Sequence, residues 1–230
     1  GREKLAAMAG TMDKDSFMEM GGMQNARMAK EFDASDMKEL GREKLAAMAS
    51  TMDREDNFKE MGSNKVVLLA KELDGKTLSE IGDKQAKGMA KTMNREHIAT
   101  LQSEQLVGLA KGINAKEIVE IGNEKLGEMV NKIENKDVES LGENHLSSMM
   151  SGIKGNQIKN LEETKKSTVI KALKANFFGS EKVDFKQIES ETATDTRPTI
   201  QEDSVGKTKI AGGNIQSRGM NILRNRLKRL

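Results

Sequence analysis

The sequence contains no cysteine, no tryptophan and no tyrosine, and it has a single proline among its 230 residues. Without cysteine, the chain can form neither a disulfide framework nor a cysteine-ligated metal site. No apolar run approaches the roughly 18 residues that a transmembrane helix requires, and no signal peptide is visible. We therefore expect no membrane span. An intracellular or virion-associated location is favoured, although the sequence leaves the compartment unknown.

The charges of the chain nearly cancel. Lysine and arginine number 38, aspartate and glutamate number 36, and the formal net charge is +2. Apolar residues make up 36% of the chain and charged residues 32%, which is polar for a compact globular domain. This composition suits an elongated protein with a large surface.

A block of twenty residues recurs along the first 160 residues. The nonapeptide at residues 1–9 returns unchanged at residues 41–49, and weaker copies begin at residues 21, 62, 82, 102, 122 and 142. A fixed period of this size is typical of stacked repeat arrays, in which each block contacts only its neighbours. Positions within a block are counted below from its first residue.

Each block predicts two helices. Positions 5, 8, 9 and 12 are apolar, as in Leu45, Met48, Ala49 and Met52, and this spacing follows one face of an α-helix. Position 13 holds aspartate or asparagine, a predicted N-cap for a second, shorter helix with apolar positions 17 and 20. The next glycine is predicted to end that helix in the left-handed conformation. The predicted caps are Asp13, Asp33, Asp53, Asp74, Asn94 and Asn114.

Two blocks depart from this pattern. The third block has one extra residue near Asn57, which we expect in a surface turn where the second helix begins. A ninth copy starts at Glu162 in place of glycine, and Lys166 replaces its apolar position 5. We interpret this degenerate copy as a capping repeat with a more polar face.

The sequence therefore predicts an all-α fold. We expect an α-solenoid of about eight 20-residue helix-turn-helix repeats plus the degenerate capping repeat, with blocks starting near 1, 21, 41, 62, 82, 102, 122, 142 and 162 of an array spanning 1–179. Burial of six side chains contributes about 12 kcal/mol per block, while ordering twenty residues costs about 30 kcal/mol, so a block needs neighbours. The pattern resembles HEAT-like and armadillo-like solenoids in its alternating helices only. Their units are near 40 residues, and none of their signature residues maps onto this chain.

The repeat pattern disappears in the C-terminal tail, residues 180–230. Residues 181–203 hold seven acidic and three basic residues, whereas residues 204–230 hold seven basic residues and no acidic one. This composition predicts an extended, disordered tail that ends in a short basic amphipathic helix at 218–230. That segment fits a groove on a partner protein, an anionic membrane surface or nucleic-acid phosphates. Its predicted partner-binding residues are Arg218, Met220, Leu223, Arg224, Arg226, Leu227, Lys228, Arg229 and Leu230.

The sequence offers no catalytic, cofactor-binding or metal-binding residues, and no cofactor is expected. His97 and His145 lie two to three blocks apart, so we interpret both as surface histidines rather than ligands.

Lysine recurs at position 4 and glutamate at position 19, and these rows are expected to form charge ladders on a solvated face. Small residues at positions 6 and 7 indicate close helix packing. Most methionines fall at core positions, and Met18, Met23 and Met150 are the candidates for exposed contacts.

These features favour a structural protein over an enzyme. The leading hypothesis is a non-enzymatic scaffold, a helical-repeat component of a large multi-protein assembly such as a virion, attached through its tail. Its partners are then other proteins of the assembly or copies of the chain itself. The alternative is a nucleic-acid-binding adapter that uses the basic tail.

Overall fold

The computed structural model describes residues 1–153 and 161–177, and every regular element in these ranges is a helix. The predicted all-α class is confirmed. None of the helices in these two ranges is long and apolar enough to cross a membrane. The helices are α1 (Arg2–Thr11), α2 (Lys14–Glu19), α3 (Gly22–Glu31), α4 (Ala34–Leu40), α5 (Arg42–Ser50), α6 (Glu55–Met61), α7 (Ser63–Glu72), α8 (Gly75–Glu80), α9 (Asp83–Thr92), α10 (Arg95–Ala99), α11 (Ser103–Gly112), a 3₁₀ helix (Ile118–Ile121), α12 (Asn123–Lys132), α13 (Asn135–Val138) with a 3₁₀ turn (Glu139–Leu141), α14 (Gly142–Gly152) and α15 (Glu163–Phe177).

Longer and shorter helices alternate as the block pattern predicts. Four of the predicted N-caps are confirmed, because the side chains of Asp13, Asp33, Asp74 and Asn94 accept hydrogen bonds from backbone N–H groups in the first turn. The hydrogen bond from Ser35 lowers the pKa of Asp33 to about 2. These bonds satisfy donors that a helix start leaves unpaired.

Two predicted caps are wrong. Asn114 accepts a bond from the backbone of Lys116 at 3.0 Å, which fixes a turn ahead of the 3₁₀ helix and caps no α-helix. Asp53 caps nothing, since α6 begins after Arg54, whose side chain makes no cap bond. The linker between α5 and α6 covers residues 51–54, whereas two residues join α1 to α2 and α7 to α8. The extra residue therefore moves the helix start past its cap.

The extra residue also lies in an unexpected place. Asn57 is only 3% exposed and sits inside α6, so its assignment to a surface turn is wrong. Its Oδ1 atom and that of the buried Asn25 have no hydrogen-bond partner. The insertion is thus accommodated within the packed array.

Glycines at the block starts take a backbone conformation other than the predicted one. Gly82 has φ +110° and ψ 152°, which is an extended conformation open essentially to glycine alone, and not the left-handed helical cap. The sixth block starts with Gln102 instead, at φ −74°. There the side chain of Gln105 bonds the backbone N–H of Gln102 at 3.0 Å.

One continuous apolar core runs from Ala9 to Ala172. Positions 5, 8, 9, 12, 17 and 20 are buried from the third to the seventh block, as predicted, and Phe17, Phe32 and Phe58 are fully buried. The first block is the exception, with Met8 48% exposed, because none of the described helices covers this block on the side away from the array. The same position in the identical nonapeptide, Met48, is fully buried.

Helices pack against the third helix along the chain, and not simply against the next block. This gives three series of contacting helices, each with a spacing of about thirty residues and alternating long and short members. Within the described ranges, neighbouring members of a series pack closely, with the exception of α5 and α8 in the first series. The first series is α2, α5, α8, α11, α13 and α15; the second is α3, α6, α9, the 3₁₀ helix and α14; the third is α1, α4, α7, α10 and α12.

Small residues allow the closest helix contacts, as predicted. A Cβ atom on Gly108 of α11 would lie 2.0 Å from the carbonyl oxygen of Gly75 in α8. A Cβ atom on Gly88 would lie 2.6 Å from the ring of Phe58. Any larger residue at these positions would force the helices apart.

Candidate interaction surfaces

Position 4 of the block forms a row of hydrogen-bond donors that joins alternate blocks. From the third block onward, each side chain at this position bonds to a backbone carbonyl at the end of the long helix two blocks earlier. Gln105 is the most heavily engaged, with bonds to the carbonyls of Ala70, Lys71 and Leu73 at 3.2, 2.9 and 3.0 Å. The remaining pairs are Lys44 with Gly10, Lys65 with Phe32, Gln85 with Ser50, Lys125 with Ala90 and Lys91, His145 with Ile113, and Lys165 with Ile133.

These donors satisfy carbonyls that a helix end leaves without intrahelical partners. Their lysines also place positive charge at the negative end of the helix. Burial lowers the pKa of both Lys125 and Lys165. In the first two blocks, Lys4 and Gln24 are exposed, and neither side chain has a hydrogen-bond partner within the described ranges. The expected position-4 to position-19 charge ladder is replaced by this donor row.

The acidic residues pair with other cations. Lys91 links Glu55 of α6 at 3.2 Å to Glu120 of the 3₁₀ helix at 3.5 Å, and Lys87 also contacts Glu120 at 3.8 Å. The hydrogen bond from Lys59 lowers the pKa of Glu55. This network crosses three successive members of the second series, so it ties them together on the outer face.

The gap between α5 and α8 forms a cleft, which we call the α5–α8 cleft. Its volume is about 500 Å³, which falls in the range of about 300–1,000 Å³ found for ligand sites. Met18 of α2 lies at one margin and accepts a hydrogen bond from the Ser50 hydroxyl at its sulfur at 3.1 Å. The two walls are formed by Ala46, Ala47 and Ser50 of α5 and by Thr77, Glu80 and Ile81 of α8.

The charges around this cleft are unequally paired. Arg42 forms an ion pair with Asp74, and Lys14 lies 3.9 Å from Glu43. Glu80 is exposed and has no ion-pair partner among the described residues. Glu43 is 77% exposed. The rim therefore leaves the Glu80 carboxylate unpaired, whereas Arg42 is paired with Asp74 and the Lys14–Glu43 pair is long and exposed.

A second groove lies on the opposite side of α8, between α8, α11 and α13. It has a volume of about 440 Å³ and a polar lining that includes Lys76, Glu104 and Lys111. Asp137, at its end, accepts a hydrogen bond from Ser103 at 2.5 Å. Its floor is closed by the contact between Gly75 and Gly108.

The methionines test the predicted contact residues. Met18 is 49% exposed and Met23 is 36% exposed, so the predicted exposure of both is confirmed. Met150 is only 6% exposed, and that prediction is wrong because it lies at position 9 of its block, on the buried face of α14. Sequence reasoning missed the cleft itself, for which the extra residue in the third block was the available signal.

Neither histidine is freely exposed, contrary to the surface assignment. His145 is half-buried and its Nε2 lies 2.9 Å from the carbonyl oxygen of Ile113, which makes it part of the donor row. His97 is half-buried, and its Nδ1 has no hydrogen-bond partner. Across residues 1–153 and 161–177, no group of three or more histidine, aspartate or glutamate residues is arranged to hold a metal ion.

The predicted partner-binding segment lies outside the described residues. Its residues are Arg218, Met220, Leu223, Arg224, Arg226, Leu227, Lys228, Arg229 and Leu230.

Comparison with protein-family models finds none that matches the chain, and comparisons with curated proteins and solved structures find no match either.

Proposed function

We propose that the chain is a non-enzymatic scaffold, a component of a large multi-protein assembly. Residues 1–179 act as an α-solenoid of two-helix blocks with a degenerate capping repeat, and the tail provides attachment. The observation that carries the proposal is the continuous core from Ala9 to Ala172. A core extended through successive blocks supports an array that presents surfaces along its length.

The donor row gives further support. Its hydrogen bonds connect each block to the one two blocks away, so they resist both bending and separation of the array. Hydrogen bonds of this kind contribute about 1 kcal/mol each, and their loss costs more where a buried carbonyl is left unpaired. A rigid spacer or platform needs such longitudinal links, whereas a chain that only connects two domains does not.

Deletion of residues 181–230 tests the attachment role. The shortened chain is expected to keep its helical circular dichroism signal but to lose incorporation into the native assembly. A chain with Arg224 and Arg226 replaced by lysine serves as a control that keeps the charge and is expected to incorporate. Normal incorporation of the shortened chain would contradict the proposal.

A nucleic-acid adapter is the second candidate, favoured by the seven basic residues after residue 203. Such a tail would bind DNA or RNA through phosphates, and its affinity would fall steeply as salt rises. Gel-shift titrations of the full chain and of the chain lacking 204–230 distinguish the two candidates. Retardation by the full chain alone, lost at high salt, supports the adapter; no retardation at low salt excludes it.

A further inference from the structure

The α5–α8 cleft coincides with the one irregular block length among the first eight blocks. The block that begins at Gly41 carries an extra residue, and its four-residue linker at 51–54 displaces α6 relative to α5. The first series loses its close contact between α5 and α8 at this block, while α2 with α5 and α8 with α11 remain packed. The opening therefore lies at the block that carries the inserted residue, although α3 with α6 and α4 with α7 pack across the same block.

The cleft is suited to large apolar side chains. Its α5 wall consists of the small residues Ala46, Ala47 and Ser50, and Ile81 contributes apolar surface from α8. Met18 adds an exposed, flexible side chain at the margin, and methionine adapts readily to different ligands. An amphipathic helix binds such a groove by inserting apolar anchors spaced three or four residues apart.

The C-terminal segment of the same chain has matching chemistry. Met220, Leu223, Leu227 and Leu230 follow one another at intervals of three, four and three residues. Five basic residues accompany these anchors between residues 218 and 230. The rim of the cleft carries Lys14 and Arg42 as well, but Arg42 is paired with Asp74. The unpaired Glu80 and the 77% exposed Glu43, 3.9 Å from Lys14, are the carboxylates that can pair with the basic residues of the segment.

The length of the connecting chain matches the distance to be covered. Forty residues, 178–217, separate α15 from the segment. A flexible coil of this length has a root-mean-square span of about 35 Å. Three helix-to-helix steps separate α15 from α8 in the first series, and at 8–10 Å each they amount to about 30 Å. Effective concentration is highest when linker span and site separation agree.

From these observations we propose that residues 218–230 bind in the α5–α8 cleft of their own chain. Met220, Leu223 and Leu227 enter between α5 and α8, and the basic residues face Glu80 and Glu43. A partner that takes up the same segment has to displace it from the cleft. The inference goes beyond the scaffold role, because it assigns an interaction surface on the array and its occupant.

Disulfide trapping tests the proposal directly, since the chain has no cysteine of its own. The full chain carrying Ser50→Cys together with Met220→Cys, Leu223→Cys or Leu227→Cys is oxidised mildly at low micromolar concentration. At least one pair is expected to give a cross-linked monomer in high yield. Lys38→Cys, on the exposed face of α4, replaces Ser50→Cys in the control pairs and is expected to give little.

The products distinguish the possible occupants. A cross-linked monomer supports the proposal, whereas a covalent dimer shows that the segment of a second copy enters the cleft and overturns it. Absence of any cross-link above the Lys38→Cys level also overturns it. These outcomes concern the purified chain, so they are independent of whether tail deletion abolishes incorporation into an assembly.

Thiol reactivity provides a second measurement that does not require a bond to form. In the full chain with Ala46→Cys, the thiol is expected to react several-fold more slowly than in the same chain with Leu223→Asp and Leu227→Asp. Glu80→Gln should raise its reactivity about two-fold, as expected for loss of one exposed ion pair, while Glu39→Gln at the same block position should not. Equal rates with and without the two aspartates would contradict the proposal.

Discussion

The two sides of α8 differ sharply, although both face helices of the same series. Towards α11 the backbones of Gly75 and Gly108 are so close that no Cβ atom fits between them. Towards α5 the helices are separated by a cleft of about 500 Å³. Different residues of α8 face its two neighbours, because Gly75 meets α11 whereas Thr77, Glu80 and Ile81 face α5. The closed side is thus a glycine packing contact, and the open side, next to the block with the extra residue, is a candidate binding surface.

The largest effect is expected from breaking the closed side. Gly108→Ala places a Cβ atom against the Gly75 carbonyl and should lower the free energy of unfolding by about 3 kcal/mol, the upper end of typical overpacking costs. Urea denaturation measures this change. Gly10→Ala is the matched control, because nothing lies within 4 Å of its Cβ position in α1. It should stabilise the chain by up to about 1 kcal/mol through helix propensity, and equal effects of the two substitutions would contradict the account.

A smaller loss is expected from releasing α11 from α7. Gln105→Ala removes the bonds to the carbonyls of Ala70, Lys71 and Leu73 and leaves buried acceptors unpaired. This should cost about 2 kcal/mol of unfolding free energy, measured by thermal unfolding. Gln24→Ala, at the same block position but exposed, should stay within about 0.5 kcal/mol of the parent chain. A loss of similar size at Gln24 would show that the donor row is not the cause.

Closing the open side should have a modest, stabilising effect. Deletion of Asn57 restores a twenty-residue block, lets Asp53 cap the following helix and brings α5 against α8. The cap should add about 1 kcal/mol to the unfolding free energy. The deletion should also make the thiol of Ala46→Cys less reactive, because α8 then covers it. This should hold even in a chain in which Leu223→Asp and Leu227→Asp have removed the apolar anchors of the C-terminal segment. Asn57→Ala keeps the extra residue and should leave the thiol as reactive as before.

The smallest expected effect is on the pH dependence of stability, which should differ between a regular block and the irregular third block. Hydrogen bonding to Ser35 lowers the pKa of Asp33 from 3.8 to about 2, so its contribution to stability is present above pH 4 and is lost as pH falls towards 2. Asp33→Asn should flatten the fall in unfolding temperature over this window. Asp53→Asn should change the curve less, because Asp53 caps no helix. Equal flattening by both substitutions would contradict the difference in capping.

Local patterns predicted local structure well. The apolar positions, the caps at Asp13 and Asp74 and the exposure of Met18 follow from helix periodicity and cap chemistry within one block. The pairing of helices in the fold does not follow from one block, because the sequence repeats every two helices while each helix packs against the third helix along the chain. The predicted caps at Asp53 and Asn114 are wrong because the backbone between the helices takes a different conformation in these two blocks. The helix propensities of single residues do not predict that change. Prediction of the cleft would have required knowledge of both the third-helix packing and the effect of the extra residue near Asn57.

Zero-length carbodiimide cross-linking of the unmodified chain, followed by mass spectrometry, tests the third-helix packing most directly. It joins lysines only to carboxylates already in contact. The packing predicts that abundant links include Lys91 with Glu55 and Glu120, Lys87 with Glu117, and Lys30 with Glu60, which are separated by 29–36 residues. Links dominated by pairs about twenty residues apart would show that successive blocks stack directly and would contradict the account.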